Sequence, residues 1–125
     1  MQDVSEMTIY QNALKLLRPI YRLAELLPKN EFDLRNQILR AAKSIAPLIA
    51  EGYAKKQSQV EFKRFLNMAL GSCDEVITHL RQIMIIGFPM IKKETCEALI
   101  KIYKIEAKQI NSCIMVIVRR NKSDI

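Results

Sequence analysis

The 125-residue chain has one histidine, His79, and only three glycines and four prolines. A single histidine excludes a histidine-based metal cluster, and no second one supports a catalytic triad. So few turn formers exclude a sheet protein of this length, which leaves a few long helices. Three cysteines, Cys73, Cys96 and Cys113, are an odd number without CxxC spacing. They point to core-filling thiols in the reducing cytoplasm rather than to a disulfide framework. No apolar run approaches the ~18 residues of a membrane span. The opening MQDVSEMTIY is acidic and lacks the basic start and apolar core of a signal peptide.

Chemistry is missing as well. None of the glycines belongs to a GxGxxG or P-loop pattern. Asp74 and Glu75 are adjacent and so point in different directions on a helix, and no E-x-x-H pair suggests a di-iron bundle. His79, in mid-helix beside Thr78 and Leu80, reads as a partly buried packing residue. The sequence offers no active site, and no cofactor or metal is expected.

What is present is helical periodicity. Ile9, Ala13, Leu16, Ile20, Leu23 and Leu27 step by fours and threes, the seam of a bundle helix. Pro28 stops it, and Pro19 within it predicts a kink around residues 15–19. Asp33 is a candidate N-cap for a second seam, Ile38, Ala42, Ile45, Ile49 and Gly52. Ser58-Gln59-Val60-Glu61 reads as a capping box. It opens a third seam of Phe62, Leu66, Ala69, Cys73, Val76, Leu80 and Ile83, which ends at Gly87 with Pro89 beyond. The last seam is Ile100, Tyr103, Ala107, Ile110, Ile114 and Ile117. The spacing therefore predicts an all-α, up-down-up-down antiparallel four-helix bundle in one domain, with helices over about 4–27, 33–56, 58–87 and 92–120. In the last helix Ile102, Ile105, Cys113, Val116 and Val118 widen the apolar stripe, either as extra core or as an interface.

The stretch SIAPLIAEGYAKK holds two helix breakers. Pro47 removes a donor and clashes with the Lys43 carbonyl, yet the seam keeps its phase through Pro47 and Gly52, so a kinked but continuous helix is expected. Gly52 should let backbones approach closely, with Ala69, Gly71 and Ser72 as candidate partners. Glu51 either pairs with Lys55 one turn on or fixes a basic residue of another helix or subunit.

Basic residues outnumber acidic ones by 20 to 13, and the net charge is +7. Residues 15–64 carry eleven basic and five acidic groups, net +6, whereas residues 65–91 are net −1. Lys15, Arg18 and Arg22 share one face of the first helix, and Arg40 and Lys43 lie one turn apart on the second. Lys55 and Lys56 end the second helix, Lys63 and Arg64 open the third, and Lys101, Lys104 and Lys108 stripe the fourth. Such stripes either neutralise phosphates or simply keep a bundle solvated. Tyr21, Tyr53 and Tyr103 are the few aromatics available for base stacking.

SIAPLIAEGYAKK followed by EFKRFLNMALGSCDEV resembles the small bacterial four-helix bundle proteins encoded in intervening sequences of 23S ribosomal RNA genes. The matching residues are Arg40, Ala41, Ser44, Ile45, Ile49, Ala50, Glu51, Gly52, Glu61, Phe62, Phe65, Leu66, Ala69, Gly71, Ser72 and Glu75. Tyr10-Gln11-Asn12-Ala13 and Leu27-Pro28 match the family's first helix and its exit. The family's usual proline falls at Ala46, one place before Pro47, and its usual asparagine is Leu48 here. The family is related to accessory proteins of diversity-generating retroelements, which form pentameric rings with a basic surface and bind a reverse transcriptase and nucleic acid. The resemblance implies a homopentamer facing RNA or DNA with basic surfaces. A ring adaptor whose partner is another protein, such as a reverse transcriptase, is the second reading.

Overall fold

The computed structural model describes residues 3–123. A 3-10 turn, Val4–Glu6, precedes α1 (Thr8–Lys15) and α2 (Leu17–Glu25), which together make the first long rod. A second 3-10 turn, Lys29–Glu31, leads into α3 (Phe32–Ala54), followed by α4 (Gln59–Ile86) and α5 (Lys93–Ser123). The four rods form the all-α bundle that the periodicity predicts. The α1/α2 rod packs on α3, α3 on α4, and α4 on α5, while α1 meets α5 along a thinner seam.

Proline position explains where the rods are continuous. Pro19 lacks an N–H, so the Lys15 carbonyl loses its regular partner and the ladder is interrupted at Leu16. Around that step the Leu16 amide still bonds Asn12 O at 3.0 Å, and the Ile20 amide reaches Leu16 O at a long 3.4 Å. Tyr103, fully buried on α5, points its hydroxyl at the same Leu16 carbonyl, 3.5 Å away. Pro47, by contrast, lies inside an unbroken α3. It and Lys43 are both exposed, so water can satisfy the carbonyl that proline deprives.

The core follows the expected seams of the first three rods. Ile9, Ala13, Leu16, Ile20, Leu23 and Leu27 are buried, as are Ile38, Ala42, Ile45, Ile49, Leu66, Ala69, Cys73, Val76, Leu80 and Ile83. On α5 the buried line runs Cys96, Leu99, Tyr103, Glu106, Ile110, Ile114 and Ile117. It passes through Glu106, where the apolar pattern had marked Ala107, which is only half-buried. Phe88 and Ile91, in the turn after Gly87, close one end of the bundle. Gly87 itself is left-handed (φ 77°) and its amide bonds Ile83 O at 3.0 Å, a glycine-type helix stop.

Several local expectations need correction. Asp33 is in the first turn of α3 and not its N-cap, because a 3-10 turn feeds directly into Phe32. Ser58 does cap α4, accepting from the Glu61 amide at 3.2 Å, but the reciprocal half of the box is missing. The Ser58 amide bonds Lys55 O instead, and the Glu61 carboxylate turns to Arg64. Gly52 does mark a close approach, yet its neighbours are Phe65 and Phe62. A Cβ there would stand 3.1 Å from Phe65 Cβ and 3.3 Å from Phe62 O. The antiparallel register carries Ala69, Gly71 and Ser72 further along α4. Gly71 has open space around it, and Ser72 meets Ser44 through a 2.7 Å hydroxyl pair.

Candidate nucleic-acid interface

All nine basic residues singled out from the sequence are exposed: Lys15, Arg18, Arg22, Arg40, Lys43, Lys55, Lys56, Lys63 and Arg64. Exposure is what a phosphate contact needs, and it is also what any solvated lysine shows. The fold separates them into two groups. The first rod and α3 run antiparallel around a turn that Arg35 stitches together by donating to the carbonyls of Ala24, Leu27 and Pro28. This pairing brings Arg18 and Arg22 to about the height of Arg40 and Lys43 on the neighbouring rod. No ion pair among the described residues engages Lys15, Arg18, Arg22, Arg40 or Lys43.

The second group sits at the α3–α4 turn, about 18 Å further along at ~1.5 Å per residue from Lys43 to Lys55. Its charges are partly answered. Lys55 Nζ is 3.2 Å from Glu51, so Glu51 takes the simple one-turn partner. Arg64 Nε is 2.6 Å from the Glu61 carboxylate, and this bond holds that carboxyl below its ordinary range. Lys56 lies 3.9 Å above the Tyr53 ring, and Lys55 and Arg64 both approach Phe65, at 5.2 and 4.5 Å. Tyr21 is exposed and Tyr53 half-buried, but Tyr103 is fully buried and leaves the list of stacking aromatics.

The α3–α4 turn also borders a cleft of about 430 Å³. It is lined by Met7 before α1, Tyr53, Lys56, Gln59 and Phe62 around the turn, and Cys113, Val116, Ile117 and Arg120 on α5. Gln59, one of these lining residues, has its side-chain oxygen turned away from solvent and without a hydrogen-bond partner. Sequence reading passed over Gln59 because a glutamine in a helix's first turn carries no pattern.

A second missed feature is Glu106, 2 % exposed, with neither carboxylate oxygen bonded. Burial raises its carboxyl to about 7. It stands near Tyr103 and Cys113 of its own helix and Cys73 of α4, and it shares a small cleft with Asn12 and Lys15. Burial disfavours the thiolate at the cysteines, pushing Cys73 up to about 12 and raising Cys96 and Cys113 as well. His79 is half-buried, its Nδ1 2.9 Å from Gln82 Oε1, a local helix contact.

Apolar surface is left uncovered in two places. On the α5 flank Ile102, Ile105, Met115 and Val116 are 41–50 % exposed, while Cys113 and Val118 are half-buried. At the opposite end from the α3–α4 turn, Phe32, Ile85, Ile86 and Met90 are exposed, Ile85 at 88 %. Among the described residues no helix is long and apolar enough to cross a membrane.

No curated protein matches the chain. A family match does exist, and it covers the first rod, the α3–α4 motif and most of α5. Because the model of the 23S rRNA-intervening sequence protein family matches residues 5–112, the chain belongs to that family.

Proposed function

We propose that the protein is a non-enzymatic, cytoplasmic, oligomeric nucleic-acid-binding bundle that contacts RNA mainly through phosphates. The observation that carries this reading is the group Lys15, Arg18, Arg22, Arg40 and Lys43. These five cations are exposed on adjacent rods, with no carboxylate paired to any of them among the described residues. The 20-to-13 excess of basic residues gives the field that would draw a polyanion to them. The family name, which ties its members to intervening sequences of 23S rRNA, favours RNA as that polyanion.

Binding of a single-stranded RNA, followed by anisotropy across a salt series, tests it. If all five cations meet phosphates, log K should fall with log salt at a slope of about −3 to −4. Arg18→Glu, Arg22→Glu, Arg40→Glu and Lys43→Glu together should remove most of the affinity. No binding even at low salt sinks the reading.

The uncovered apolar surface favours a second reading, a ring or adaptor whose partner is another protein, such as a reverse transcriptase. Cellular function that survives the four charge reversals with assembly intact selects it over the first.

A further inference from the structure

We propose that the cleft at the α3–α4 turn takes an unpaired nucleobase from a bound single strand. This inference rests on the nucleic-acid reading and adds to it a contact that phosphate neutralisation alone does not require.

Four features of the cleft fit such a ligand. Its volume of about 430 Å³ has room for a planar heterocycle. Phe62, Val116 and Ile117 give it an apolar wall for stacking, beside the Tyr53 ring. Lys56 and Arg120 put two cations in its lining, where the phosphate of the same nucleotide would lie, and Lys56 is held by its contact with Tyr53. The Gln59 oxygen is a buried acceptor with no partner, and burying such a group unpaired costs about 1–3 kcal/mol. Gln59 lines the cleft with its oxygen turned away from solvent, and once its amide rotates toward the cleft an exocyclic amino group of adenine or cytosine supplies the missing donor. An anion alone would meet the cations but would leave Gln59 and the apolar wall unused. A lipid chain would satisfy the wall but not the amide.

The test compares ribo-oligonucleotides of equal length and charge. Oligo(A) and oligo(C) should bind about tenfold more tightly than an abasic oligomer, the scale of one stacked base. Gln59→Leu should narrow that gap severalfold while leaving the salt slope unchanged. Equal affinity for oligo(A) and the abasic strand in the unaltered protein overturns the proposal and leaves the phosphate reading standing. Binding of neither at low salt overturns both. A measurement free of any variant is chemical-shift mapping with adenosine 5′-monophosphate against ribose 5-phosphate. The nucleotide should shift Tyr53, Gln59 and Phe62 and the sugar phosphate should not; identical shifts from both refute the base pocket.

Discussion

At the scale of single residues, Glu106 is the most consequential side chain in the core. Its carboxyl is raised from 4.5 to about 7 because burial disfavours the charged form. Below pH ~4.5 both folded and unfolded chains hold the proton, and ionisation adds no cost. Between pH ~4.5 and ~7 the unfolded chain ionises while the folded one resists, so stability falls as pH rises, by a total on the order of 3 kcal/mol. Glu106→Met should therefore stabilise the protein at pH 8 by roughly 2–3 kcal/mol more than at pH 4, read from urea midpoints at the two pH values. Equal gains at both would show that the buried acid is not the source. The two helical glycines make opposite predictions. Gly71→Ala meets open space and should stabilise by up to about 1 kcal/mol in thermal unfolding. Gly52→Ala gains the same propensity but presses on Phe65 Cβ and the Phe62 carbonyl, which yield poorly. It should lose about 1 kcal/mol net.

At the scale of elements, the boundaries were legible wherever a local signal dominates. Ser58, Gly87 and the prolines act through nearby backbone, so their spacing alone places the ends of α4 and the interruption near Pro19. Ser58→Ala should cost about 1 kcal/mol, because the Glu61 amide then loses its acceptor and its side chain provides no second half of a box. Where two local solutions compete, as at Asp33, tertiary continuity decides. The chain leaves Pro28 in a 3-10 turn and enters α3 without a side-chain cap, while Arg35 secures the carbonyls on the other side of that turn. The α5 seam misled for another reason. Apolar periodicity marked Ala107, since nothing local announces a carboxylate that three-dimensional packing encloses.

At the scale of the whole molecule, the antiparallel bundle sorts nine basic residues into two places with different surroundings. One is a mid-rod group without ion pairs among the described residues, and the other is a turn group tempered by Glu51 and Glu61. Neutralising Arg18 and Arg22 to Gln should thus reduce the salt slope of RNA binding by about 1.4, whereas Lys55→Gln should change it less. The exposed flank of α5 carries its own expectation. If it closes an assembly of the ring type that the resemblance implies, sedimentation velocity should give a multiple of the 14.5 kDa chain mass, five being the favoured number. Ile102→Asp with Ile105→Asp should then reduce it to monomers that keep their helical circular dichroism. A native chain that already sediments as a monomer excludes that assembly.

The sequence by itself determined the four rods, their antiparallel order, most of the core and the family, because periodicity, caps and breakers act within a few residues of where they are written. It also identified the cations, since a long charged side chain on the polar face of an amphipathic helix has nowhere to go but the surface. Only the tertiary structure decided what those cations stand beside. Gly52 meeting Phe62 and Phe65, the unpaired Glu106 and the unpartnered Gln59 oxygen beside a cleft all depend on how rods distant in sequence come into register. That register is fixed by packing across helices, and no single helix's pattern contains it.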